Sequence, residues 1–259
     1  MRLTDTHTHL YVREFDEDRE AMMRRAMDKG VDRFFLPAID ASYYPKMLEL
    51  ENRYPGQVYL MAGLHPTHVG EDYEKELQVV EQMLRTHRFY AIGEIGMDLY
   101  WDKTHVDEQK KAFEQQIIWA KERQLPIVIH SRDAFDEIFE VMDRMFDERL
   151  RGIFHCFTGN EEQAKKILAY GFKLGIGGVI TFKNGKIDQF LHRIPIEHVV
   201  LETDSPYLAP VPYRGKRNES AYLTYVLDKV SELYGMDPRV VASITSRNAE
   251  EVFGLKALG

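Results

Sequence analysis

Cysteine is almost missing from this chain: Cys156 is the single one, which excludes an internal disulfide and fits a reducing compartment. Long apolar runs are missing too. None approaches the length of a membrane-spanning helix, and the first residues, Met1-Arg2-Leu3-Thr4-Asp5-Thr6-His7, lack the apolar stretch of a secretion signal. A cytoplasmic protein with no membrane association is therefore expected. No Pro/Ser/Gly-rich linker, composition shift or low-complexity tract divides the chain, so residues 1–259 are read as one domain with a substantial core. Nor is there a basic excess. With 34 Lys+Arg against 42 Asp+Glu the formal charge is −8, which excludes a broad phosphate-tracking footprint and predicts a weak, salt-sensitive hold on long duplex. A nucleic-acid substrate gripped at one point by metals stays open.

What is present is a repeating unit. Apolar, β-branched segments occur at about 2–9, 31–40, 57–65, 88–96, 126–131, 151–157, 172–178 and 198–204, each followed by a helix-like stretch. Asp18 to Lys29 places Met23, Ala26 and Met27 on one face and stops at Gly30. Ala112, Phe113, Ile117 and Ala120 recur at helical spacing, as do Phe135, Ile138, Phe139 and Met142. Asn160 with Gln163 predicts a capping box for a helix ending before Gly171. Leu223, Val226, Leu227, Val230 and Leu233 supply the buried stripe of what reads as the last long helix. Eight strands alternating with helices, without a Gly-rich nucleotide fingerprint, predict an α/β fold of the TIM (β/α)8 barrel class. The polar residues favour a barrel over an open sheet. His7/His9, His65, Glu94, His130, His155 and Asp204 each close an apolar run, and a barrel brings the C-terminal ends of its strands to one rim.

Those residue types imply a metal centre. His7 and His9, two apart, would share one strand face and grip one cation. Asp5, on the same face, can hold one ring's tautomer. Glu94 sits in Ile92-Gly93-Glu94-Ile95-Gly96, an apolar strand where a lone carboxylate is costly, and its two oxygens can bridge two cations. We expect one divalent cation held by His7, His9, Glu94 and Asp204, and a second by Glu94, His130 and His155. Nitrogen and oxygen donors without thiolate leave Zn, Mg, Mn and similar ions open. Paired metals roughly 3.5–4 Å apart activate a water for in-line displacement at a phosphodiester. Asp204 is expected to accept that water's proton, with Glu202 orienting or relaying as a second catalytic residue. His65 binds phosphate or a third cation, Arg132 offers a donor fork to phosphate, and Asp98 either touches a bound water or caps a loop. Tyr100, Trp101, Tyr207 and Tyr213 either cover the rim or stack on bases, and Arg214, Lys216 and Arg217 can meet phosphates. Cys156 should point away from the His155–Phe157 face into the packing layer. Lys183 is read as a surface residue.

Taken together, Asp5-Thr6-His7-Thr8-His9, Gly63-Leu64-His65-Pro66, Gly93-Glu94-Ile95-Gly96-Met97-Asp98, Ile129-His130-Ser131-Arg132, His155-Cys156-Phe157-Thr158-Gly159 and Glu202-Thr203-Asp204-Ser205-Pro206 resemble the TatD family of metal-dependent hydrolases, within the amidohydrolase superfamily. The resemblance spans essentially the whole chain. It implies a TIM barrel, a two-metal or three-metal centre and deoxyribonuclease activity, commonly 3′–5′ exonuclease action on single-stranded DNA. Glu94 stands where more distant superfamily members carry a carboxylated lysine, which favours this family over the amide- and lactone-cleaving branches. Met97 stands where the family pattern often has leucine. The expected partner is DNA, as single strands or ends, with no obligatory protein partner. The alternatives are hydrolysis of a small amide, lactone or aminoacyl ester by the same metals, and a non-catalytic metal-binding scaffold.

Overall fold

The computed structural model describes residues 1–255. Eight parallel strands follow one another around a single sheet in chain order: β1 (Leu3–Asp5), β2 (Val31–Pro37), β3 (Val58–Ala62), β4 (Ala91–Asp98), β5 (Ile127–Arg132), β6 (Gly152–Phe154), β7 (Lys173–Ile176) and β8 (Val199–Leu201). Closure comes just past β1, where the Thr6 amide and hydroxyl donate to Leu201 O at 3.1 and 3.0 Å. Asp204 N continues the seam by donating to His7 O at 2.9 Å. The result is the expected (β/α)8 barrel.

Side-chain alternation sorts the strands into two layers. Phe35, Met61, Ala91, Val128, Ile153 and Val200 fill the interior toward the N-terminal end of the barrel. The opposite faces, including Phe34, Leu36, Ile127 and Ile129, meet the surrounding helices. Those helices are α1 (Arg19–Asp28), α2 (Tyr44–Arg53), α3 (Tyr73–Thr86), α4 (Val106–Arg123), α5 (Phe135–Met145), α6 (Glu161–Ala169), α7 (Leu223–Tyr234) and α8 (Pro238–Phe253). The punctuation read from sequence holds: Gly30 has φ +88° behind α1, and Asn160 and Gln163 make both bonds of the capping box on α6.

Three expectations need correction. The helix of Leu223 to Leu233 is not the last; α8 follows, capped by Asp237 with proline in its first turn. Its Phe253 stacks on Phe35 with ring centroids 3.7 Å apart, closing the bottom of the barrel. Between β7 and β8 there is no α-helix but a chain of short 3-10 turns, beginning with Gly178–Thr181. The strands are also shorter than the apolar segments. His7, His9, His65, His155 and Asp204 lie beyond their strands, whereas Glu94 and His130 lie within theirs. Among the described residues no helix is long and apolar enough to cross a membrane.

Candidate metal centre

Glu94 projects from β4 into the mouth of the barrel and is 2% exposed. Its two oxygens face two sets of nitrogens. Oε2 lies 3.0 Å from His7 Nε2 and 3.6 Å from His9 Nε2. Oε1 lies 2.8 Å from His130 Nδ1, 2.8 Å from His155 Nε2 and 3.1 Å from His65 Nε2. Asp204 Oδ1 joins the first set, 3.6 Å from His7 Nε2 and 3.4 Å from His9 Nε2. Three donor groups within reach of a single ion emerge: His7, His9 and Glu94; His7, His155 and Asp204; and His65, Glu94 and His130.

The electrostatics follow from this packing. Burial pushes the Glu94 carboxyl up, but His155, His65 and His7 outweigh it and hold the carboxylate well below its usual range. Asp204 is likewise held down against its burial, by His9, His155 and His7. Burial pulls His7 down, with neighbouring His155 adding to it. Burial also opposes protonation of His155 and His130, yet carboxylates on both sides of each ring raise them, His155 strongly. These groups fit metal ions. Three imidazole nitrogens within 3.1 Å of one carboxylate oxygen exceed what its lone pairs accept from N–H donors, and a cation satisfies nitrogen and oxygen together. His7 and His155 stack with centroids 3.7 Å apart, which suits two neutral ligands better than two imidazolium ions.

The outer nitrogens of His130 and His9 are hydrogen-bonded, His155 Nδ1 only faces a carboxylate, and His7 Nδ1 has no hydrogen-bond partner among the described residues. His130 Nε2 lies 2.9 Å from Asp98 Oδ2, and His155 Nδ1 lies 3.4 Å from Glu202 Oε1. Tyr11 donates its hydroxyl hydrogen to Pro37 O, so it accepts from His9 Nδ1 at 2.9 Å and turns the lone pair of Nε2 inward. His65 is oriented the other way. Thr67 N donates to its Nδ1 at 3.1 Å, so the neutral ring carries its proton on Nε2, and burial, against the pull of Glu94, lowers its pKa to about 4. Tyr11 and Thr67 were not singled out in the sequence, although each stands two residues after the histidine it holds.

The model for TatD-related DNases matches residues 4–254. The chain belongs to that family. It is 38% identical over 252 residues to the uncharacterised metal-dependent hydrolase YabD of Bacillus subtilis, covering 97% of this chain and 98% of the relative. It is 30% identical over 257 residues to the 3′-5′ ssDNA/RNA exonuclease TatD of Pectobacterium carotovorum, covering 97% and 99%. The crystal structure of YjjV, a TatD homologue from Escherichia coli K12, superposes with a TM-score of 0.92 at 29% identity, covering 98% of this chain and 99% of that one.

In this TatD-family member the sequence-predicted residues converge, with corrections at Asp5, Cys156 and the basic loop and with the loop cap, one of two expected alternatives, found at Asp98. Asp5 does not hold an imidazole: its carboxylate accepts from Thr203 N, Thr203 Oγ1 and Ser220 Oγ at 2.9, 2.6 and 2.7 Å, tying β1 to the loop after β8. Asp98, offered as a contact to bound water or a loop cap, caps the loop by accepting from Tyr100 N and Trp101 N and orients His130. Cys156 is not in the packing layer. β6 has already ended, and a left-handed backbone (φ +45°) brings Cys156 half-buried onto the wall of the cavity above Glu94. Arg217 is committed to Asp18 at 2.7 Å, while Arg214 and Lys216 lie over Phe182 and Tyr213, away from that cavity. Lys183 is exposed, as expected.

The cavity, about 630 Å³, has Arg132 as its one arginine or lysine among the described lining residues. Tyr100 and Trp101 hold that guanidinium, with ring centroids 3.9 and 5.1 Å from its carbon. No described carboxylate pairs with it. Glu202, fully buried, accepts from Cys156 N at 2.6 Å besides facing His155.

Proposed function

We propose that this protein hydrolyses phosphodiester bonds of DNA, removing nucleotides from the 3′ end of single strands with two divalent cations bound. The observation that carries the reading is the double facing of Glu94: one oxygen toward His7 and His9, the other toward His130 and His155. His7, His9, Glu94 and Asp204 would hold one ion, and Glu94, His130 and His155 would hold the other. When bound, such ions supply Lewis acidity and lower the pKa of a nucleophilic water. Two ligand carboxylates against two dications leave the centre near +2, which suits an anionic diester. Strand polarity is supported by the name of the Pectobacterium relative, a 3′-5′ exonuclease on ssDNA and RNA.

The chain's own groups then divide the work. Asp204, at φ +57°, is held in a conformation a non-glycine residue adopts at a cost of about 1–3 kcal/mol, and it accepts the proton of the attacking water. Glu202 and Asp98 fix the rings of His155 and His130 rather than relaying protons to substrate. Arg132 donates to a non-bridging phosphate oxygen. His65 donates from Nε2 to the same anion. Its locked tautomer favours phosphate binding over a third cation.

The test is a substrate panel. Metal-stripped protein reloaded singly with Mg, Mn or Zn is given end-labelled single-stranded DNA, RNA and a lactone. Stepwise shortening of DNA from the 3′ end supports the reading. DNA left intact with every metal while the lactone opens would replace it with the ester-cleaving alternative.

A further inference from the structure

The cavity above Glu94 has a mixed lining: Arg132, His65 and His130 are polar, whereas Ile39, Val179, Tyr207 and Leu208 offer apolar or aromatic surface. We infer that Tyr207 and Leu208 form a shelf on which the terminal nucleobase of a single strand rests, so that the protein selects its substrate by a base at the rim as well as by the phosphate below. The inference deepens the phosphodiester reading and rests on it.

Tyr207 and Leu208 are 47% and 40% exposed, although Ser205, Pro206, Ala209 and Pro210 around them are buried. A loop that is otherwise packed leaves its two bulky apolar side chains in water beside the site. They are held there firmly. The Asn218 amide donates to Thr203 O and Tyr207 O at 2.7 Å each, Tyr207 N donates to Asp204 O at 2.9 Å, and Asn218 N donates to Pro206 O at 2.9 Å. Leu208 sits at φ +53°, and its carbonyl packs so closely on Gly178 that a β-carbon there would lie 2.1 Å from it. A bulky residue kept in that conformation is a feature of preorganised ligand clamps, and a rigid shelf loses little entropy when a ligand lies on it.

Position links the shelf to the chemistry. The Tyr207 ring meets His9 edge-on at 5.9 Å, so a base on it is one nucleotide's reach from the donors around Glu94. Stacking on an aromatic face is tolerant of base identity. A paired end must fray before its base reaches the shelf, which gives a preference for single strands that phosphate chemistry alone does not.

The experiment compares oligodeoxynucleotides of one sequence whose terminal nucleotide either carries its base or is abasic, cut by metal-loaded wild-type, Tyr207→Phe and Tyr207→Ala/Leu208→Ser proteins. Wild type should prefer the base-bearing end by about tenfold in kcat/KM. Tyr207→Phe should keep that ratio, and the double variant should bring it close to one. A terminal 2-aminopurine should show a fluorescence change on binding to wild type, without turnover, that the double variant loses. Equal cutting of both ends by wild type, or an unchanged ratio in the double variant, overturns the shelf and leaves the phosphodiester reading standing. Failure of wild type to cut either end with any metal overturns both.

Discussion

Arg132 is the residue whose role separates most cleanly from metal binding. Its guanidinium is fixed by Tyr100 and Trp101 rather than by a carboxylate, and it touches none of the donor atoms around Glu94. Arg132→Ala should therefore raise KM for DNA by about tenfold or more while leaving metal content unchanged; steady-state kinetics beside elemental analysis check both. Asp5 acts through pH. Burial raises its carboxyl from 3.8 to about 7, against hydrogen bonds from Ser220 and Thr203 and with the charge of Glu202 adding to the rise. The folded state thus keeps a proton that the unfolded chain releases, so this stabilisation is full below 3.8 and is lost as pH rises through about 7. Melting of the metal-free protein should fall across that window in wild type and less in Asp5→Asn. Equal slopes would contradict the buried titration. At this scale the sequence revealed residue types better than contacts: His7, His9, Glu94, His130, His155 and Asp204 were all legible as strand-end donors. Asp5 and Cys156 were misplaced because alternation was carried past the true ends of β1 and β6.

The elements explain that error. β1, β6 and β8 each end before the donors that follow them, and the backbone beyond is set by specific bonds, such as His9 N to Ser205 O at 2.8 Å and Thr8 N to Phe35 O at 3.0 Å. Such cross-chain bonds leave no local signature, so the apolar segments read as longer strands. The turns between β7 and β8 escaped for a related reason: their apolar residues pack irregularly and give no clear helical period. β7 carries a sharper constraint. A β-carbon on Gly175 would lie 2.3 Å from Glu202 Oε2 and 3.0 Å from His155 Cα. Gly175→Ala should displace the carboxylate that holds His155, destabilise the fold by about 1–3 kcal/mol and weaken metal binding. Denaturant unfolding and metal titration would show it, and wild-type values in both would mean that Glu202 does not position His155.

Across the whole molecule, the barrel was legible because donors at six separate strand ends make sense only if those ends meet. Its closed bottom was not, since the stacking of Phe253 on Phe35 joins residues far apart in the chain. The same geometry would reconcile a chain of net charge −8 with an anionic substrate: Arg132 and the cations proposed beside Glu94 would supply positive charge at the one cavity where the substrate is proposed to bind. We propose that this cavity hydrolyses DNA ends with Asp204 as the proton acceptor. The most direct measurement follows end-labelled single-stranded DNA with wild-type and Asp204→Asn proteins matched for metal content. A ladder shortening from the 3′ end is expected in wild type, with a rate at least about a hundredfold lower in Asp204→Asn; equal rates in the two proteins, with metal bound in both, would rule Asp204 out as the proton acceptor.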